Sequence, residues 1–89
     1  MQQKRLIIIN KLGLHARAAM KLVHLASRYQ SEILMRYNHR EVNAKSIMNV
    51  MILAASQGAE IEFSISGDDE ESAMQAIEQL IQDRFGESE

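Results

Sequence analysis

Glu60-Ile61-Glu62-Phe63-Ser64-Ile65-Ser66 alternates polar and apolar residues without a break, and the architecture follows from how that alternation is read. In an extended chain successive side chains point to opposite faces, so Ile61, Phe63 and Ile65 share one face while Glu62, Ser64 and Ser66 share the other. A strand with one wet face belongs to a sheet covered on one side only. That favours antiparallel pairing, with helices confined to the apolar side.

Downstream of this strand, Gly67 breaks the pattern. Asp68 can then cap a helix while Glu71, three positions later, reaches back, and Ala73, Ala76, Ile77, Leu80 and Ile81 form the buried stripe. The tail beyond Phe85 is expected to fray. Upstream, Ser46 is placed to cap a short helix through Ile47, Met48, Val50, Met51 and Leu53, with Gly58 as its stop. Glu32 to Tyr37 alternates again and connects through Asn38-His39 to a short strand at Arg40 to Asn43, which reads as a hairpin. Near the start, Leu6 to Ile9 is a β-rich run ending at Asn10, and Gly13 can turn the chain. From Ala16 to about Arg28, Ala19, Leu22, Val23 and Ala26 recur at helical spacing. The order strand, helix, strand, strand, helix, strand, helix predicts an α+β fold, a two-layer sandwich with an antiparallel sheet.

The 89 residues suit a single domain over 1–89 with room for one core and one exposed site. With two Tyr, two Phe and no Trp, the chain offers little aromatic surface for stacking single-stranded nucleic acid. The net charge is -2, but nine of the ten basic residues precede residue 46 and ten of the twelve acidic residues follow it. A basic face for an acidic partner is the expectation. With no cysteine there is no disulfide framework or thiol chemistry, which suits a reducing compartment. His15, His24 and His39 are spaced unlike the usual short metal-ligand motifs, so no metal or other cofactor is expected. No stretch approaches the roughly 20 apolar residues of a membrane span. The start is too short for a signal peptide, and the cytoplasm is the expected location.

Gly13-Leu14-His15-Ala16-Arg17-Ala18-Ala19 carries the chemistry, because it sets an imidazole at the mouth of a helix and a guanidinium just inside it. The first turn of a helix has unpaired N–H groups and a positive dipole end, and both favour an anion. The same field, reinforced by Arg17, disfavours imidazolium, leaving His15 a ring nitrogen with a lone pair for attack on phosphorus. Arg17 can donate paired hydrogen bonds to two phosphoryl oxygens. Spacing alone does not separate this from an ordinary histidine at a helix start beside a solvated arginine.

Asn10-Lys11-Leu12-Gly13-Leu14-His15-Ala16-Arg17 resembles the phosphorylation-site motif of the HPr family. Lys45-Ser46-Ile47-Met48-Asn49-Val50-Met51, continued by Leu53 to Ile61, is similar to that family's regulatory-serine segment. The two motifs lie in the family order, and the resemblance spans essentially the whole chain. It implies a four-stranded antiparallel sheet in the order 1-4-2-3 with three helices on one face. It also implies a phosphocarrier, not an enzyme in its own right, phosphorylated at Nδ1 of His15 by Enzyme I and discharged to an Enzyme IIA-type acceptor, with Arg17 steadying the group. Two positions depart from the common pattern. Ala18 stands where many members carry proline, and Met48 where many sugar-system carriers have phenylalanine, features closer to the nitrogen-related NPr branch.

Ser46 has a plain role as a helix cap, to which the resemblance adds regulatory phosphorylation by an HPr kinase/phosphorylase. Met20, Ile47, Met48 and Met51 are candidate partner-binding residues, framed by Lys21, His24, Arg28 and Lys45, although methionines at helical spacing are as readily core and surface charges need no special role. His39 reads as a turn residue, and the acidic last helix as a solubility surface. A monomer is expected. The competing functions are a small-ligand regulatory domain, which would need a glycine-rich loop that the chain lacks, and a nucleic-acid-binding module, for which no motif is present. A self-contained hydrolase would need a second acid, base or metal set beside His15.

Overall fold

In the computed structural model, which describes residues 1–89, four strands and three α-helices follow one another in the expected order. They are β1 (Gln2–Ile7), α1 (Ala16–Ala26), β2 (Glu32–Tyr37), β3 (Arg40–Asn43), α2 (Ile47–Ile52), β4 (Glu60–Ser66) and α3 (Glu70–Gln82), followed by a 3-10 turn at Arg84–Gly86. The strands form one antiparallel sheet in the order β1-β4-β2-β3.

Register follows from the alternation. Ile61, Phe63 and Ile65 of β4 are fully buried, while Glu62, Ser64 and Ser66 on the other face keep contact with water. Leu6 pairs with Ile61, Met35 with Phe63 and Ile33 with Ile65, so the buried side chains of three strands fall on one face. Leu22 and Ala26 of α1, Val50 of α2, and Ala73, Ile77 and Ile81 of α3 complete the same core. The β2–β3 connection is the two-residue turn Asn38-His39, with φ of 56° and 67°. Positive φ at both positions matches the twist of a tight hairpin, and asparagine tolerates it well.

The element boundaries differ from the sequence expectation where tertiary contacts override local pattern. β1 begins at Gln2 instead of Leu6, because β4 offers partners along its whole length and an edge strand accepts charged residues such as Lys4 and Arg5. α1 stops at Ala26, two residues short of Arg28. There Ser27 Oγ donates back to the Val23 carbonyl at 2.7 Å, and Arg28 and Tyr29 close tighter three-residue bonds. α2 ends before Ala54, whose φ of 50° turns the chain four residues ahead of Gly58.

The start of α3 also departs from expectation. Asp69, not Asp68, is the residue at its N-cap, and no side chain caps it there. Glu70 instead accepts from the Gly67 N–H at 3.1 Å, and the Asp69 carboxylate is turned toward the α1–β2 loop. The chain end does not fray. Phe85 is fully buried, and the residues beyond it lie against the segment that precedes α1.

Candidate functional site

Gly13 sets the geometry of the site. It has φ of 68°, and a Cβ built on it would lie 2.6 Å from the Ala55 carbonyl oxygen, so only glycine fits. Its neighbour Leu14 is buried and donates to that same oxygen at 2.8 Å. The pinned turn delivers His15 to the N-cap of α1 in an extended conformation, φ −74° and ψ 179°, and its carbonyl accepts from Ala19 N–H at 2.8 Å. No side chain caps the first turn of α1, and no acidic residue lies within it. Its N–H donors and its positive dipole end are therefore free to meet an anion.

The His15 side chain is 29% exposed and held by one ring nitrogen. Nε2 contacts the carboxylate of Glu87, 72 residues further along the chain. The other Glu87 oxygen accepts from Asn10 Nδ2 at 3.0 Å, and Nδ2 also donates to the Gly13 carbonyl at 2.8 Å. Asn10 is completely buried. The Asn10 hydrogen bond first, then that from His15, holds the Glu87 carboxyl below its usual value of 4.5, and the positive charge of Lys21 acts in the same direction. The ring's surroundings thus contain a carboxylate as well as the helix end, which the expectation built on the helix field and Arg17 omitted. Nδ1 is left without a protein partner.

Arg17 is exposed two residues further on, in the first turn of α1, beside a shallow groove between α1 and α3 shared with Met20, Lys21, His24, Leu25, Arg28 and Leu80. Met20 is half exposed within it. On the neighbouring helix α2, Met48 is 71% exposed and Met51 44%, whereas Ile47 packs partly into the core. Ser46 caps α2, its Oγ accepting from Asn49 N–H at 3.4 Å. The two lysines expected at this surface are tied down. Lys21 Nζ donates to the Phe85 carbonyl and Lys45 Nζ to the Tyr29 carbonyl, each at 2.6 Å. No group of three or more His, Cys, Asp or Glu side chains is arranged to hold a metal ion, and no helix is long and apolar enough to cross a membrane.

Sequence reasoning missed Asn10 and Glu87. Asn10 looked like the end of a strand, and Glu87 lay in a tail with no periodicity; the one available signal was Phe85, an aromatic residue two positions before the glutamate.

Residues 2–83 match the PTS-HPr family model, described as the PTS HPr component phosphorylation site. The chain belongs to the HPr family. It is 55% identical over 87 residues to the phosphocarrier protein HPr of Xylella fastidiosa, covering 98% of each chain, and 52% identical over the full length of both chains to that of Cupriavidus necator. The crystal structure of an HPr from Thermoanaerobacter tengcongensis superimposes with a TM-score of 0.96 at 45% identity, with both chains covered completely. A dimeric HPr from the same organism matches with a TM-score of 0.79. The HPr family consists of phosphocarriers of the phosphotransferase system, not of enzymes, and its sheet order is the one found here.

Proposed function

We propose that this chain accepts a phosphoryl group from Enzyme I on Nδ1 of His15 and passes it to an Enzyme IIA-type acceptor in the cytoplasm, acting as a monomer. One observation carries the reading. His15 sits partly exposed at the uncapped mouth of α1, with Nε2 engaged and Nδ1 unpartnered. The Nδ1 lone pair forms the new bond to phosphorus while the donor's bond to phosphorus breaks and its electron pair leaves with the donor. Phosphoryl transfer depends mainly on positioning and on neutralising the charge of the equatorial oxygens. The first-turn N–H groups of α1 and the Arg17 guanidinium are the groups suited to that task.

The reading extends to a docking surface of Met20, Met48 and Met51, with Ile47 behind them and Arg17, His24 and Arg28 supplying positive charge. Lys21 and Lys45 contribute charge from fixed positions. Phosphorylation of Ser46 by an HPr kinase/phosphorylase would add about two negative charges beside that surface and weaken docking of acidic partners. Ala18 and Met48 favour a nitrogen-related acceptor over a dedicated sugar-system one.

Incubation with Enzyme I and phosphoenolpyruvate, followed by mass analysis, tests the core of the proposal. One acid-labile phosphoryl group is expected on the unaltered protein and none on His15→Ala. Equal labelling of the two would overturn it. Discharge to nitrogen-type and sugar-type IIA proteins, compared side by side, decides the acceptor.

A further inference from the structure

The group that engages Nε2 of His15 is Glu87, and the carrier reading assigns that residue no task of its own. Its carboxylate bridges two groups far away in sequence, the Nε2 of His15 and the Nδ2 of Asn10. A carboxylate in that position performs two tasks. It accepts a hydrogen from Nε2, so the neutral ring carries its proton there and presents its lone pair at Nδ1, and it fixes the plane of the imidazole. It also opposes the positive charge that grows on the ring as Nδ1 gives its electron pair to phosphorus.

The support beneath Glu87 consists of fixed parts. Asn10 is wholly buried, with its second Nδ2 hydrogen bonded to the Gly13 carbonyl, so it holds Glu87 in register with the turn that places His15. Two residues before Glu87, the buried Phe85 ring anchors the chain end, and Lys21 grips its carbonyl. The tail is therefore placed by packing, and the Asn10 hydrogen bond then holds the carboxylate against the ring.

Resting on the assignment of His15 as the acceptor, we propose that Glu87, held by Asn10, is a positioning residue that orients the His15 ring and selects Nδ1 as its attacking nitrogen. The proton on Nε2 remains between the ring and the carboxylate throughout the step. The new N–P bond forms at Nδ1, the donor's bond to phosphorus breaks, and no other proton moves.

The test compares the unaltered chain with Glu87→Gln, Glu87→Asp, Asn10→Ala and the Glu87→Gln/Asn10→Ala pair. Rapid-quench phosphorylation by Enzyme I supplies one readout, and the imidazole N–H signal in nitrogen-labelled protein supplies the other. Glu87→Gln preserves shape and removes charge. It should slow the transfer step roughly tenfold, the lower end of the loss seen when a histidine that ligates a metal loses its orienting carboxylate, with KM for Enzyme I changed less than about twofold. The low-field, slowly exchanging Nε2–H signal of the unaltered protein should be lost in Glu87→Gln and partly restored in Glu87→Asp. Asn10→Ala should slow transfer in the unaltered background and slow it by a smaller factor in the Glu87→Gln background, where only the bond to the Gly13 carbonyl remains to be lost. Unchanged rates and an unchanged N–H signal in Glu87→Gln would overturn the proposal while leaving the carrier reading intact. Absence of label on the unaltered chain would overturn the carrier reading, and the N–H signal would then decide by itself whether Glu87 orients the ring.

Discussion

Lys21 Nζ donates to the carbonyl of Phe85 at 2.6 Å, so a helix that begins at the candidate site also fastens the far end of the chain. Arg84 and Phe85 both have φ of 54°, in the left-handed region, which costs non-glycine residues about 1–3 kcal/mol each. Complete burial of the Phe85 ring offsets that cost, since removing such a ring destabilises by about 3–5 kcal/mol.

Phe85→Ala is therefore expected to lower unfolding stability by about that amount. It should also free the tail, so that amide exchange rises beyond residue 82 and the Nε2–H signal of His15 weakens. A large loss of stability with the tail still protected would show that the ring packs without holding the segment in place.

Acid stability depends on a second long-range contact. Asp69 accepts from the N–H groups of Gln30 and Ser31, at 2.9 and 3.0 Å, and from the Ser31 hydroxyl. The Ser31 side-chain bond leads in holding this carboxyl below its ordinary value of 3.8, followed by the Gln30 N–H. A carboxyl lowered in the folded state stabilises above its unfolded value, and that stabilisation is lost as pH falls through the folded one. Asp69→Asn should thus be less stable than the unaltered chain at pH 7. The gap should narrow below about pH 4, as measured by denaturant unfolding at several pH values; a gap independent of pH would point to lost packing instead of lost charge.

The sheet was legible because alternation in β4 and β2 is a local property that tertiary contact only reinforces. The Asn38-His39 turn and the Ser46 cap were legible for the same reason. What escaped were contacts between residues 38 and 72 positions apart, Ser31 with Asp69 and His15 with Glu87, which leave no periodic trace. Asp69 and Asn10 carry side chains suited to caps and turns, so local reading assigned Asn10 a local role and passed over Asp69 for its neighbour, whereas the fold uses both to join distant segments. Lys21 and Lys45 were expected to frame a surface. Their ammonium groups also satisfy carbonyls of distant segments, a contact that depends on tertiary placement and not on helical spacing.

Gly13→Ala provides a test of how closely the turn controls the site. The added Cβ would meet the Ala55 oxygen at 2.6 Å and the Ser56 Cα at 2.8 Å, both backbone atoms that cannot rotate aside. Left-handed strain adds to this overlap. The variant should lose about 1–3 kcal/mol or more of stability and be phosphorylated more slowly than its remaining folded fraction accounts for, because the displaced turn carries His15 with it.

Met48 separates docking from folding. Its side chain is 71% exposed while its neighbour Val50 is fully buried, so α2 presents the two residues to different surroundings. Removing an exposed side chain that supports no core contact normally changes stability by less than about 0.5 kcal/mol. An apolar side chain that enters a partner's pocket, in contrast, costs more than about 1 kcal/mol of binding when truncated. Met48→Ala should consequently keep the unfolding midpoint and raise KM for Enzyme I by about fivefold or more, with the maximal transfer rate retained because the His15 site lies on another helix. If KM stays constant while stability falls, Met48 belongs to the folding of α2, and the docking surface must be sought in the α1–α3 groove beside Arg17.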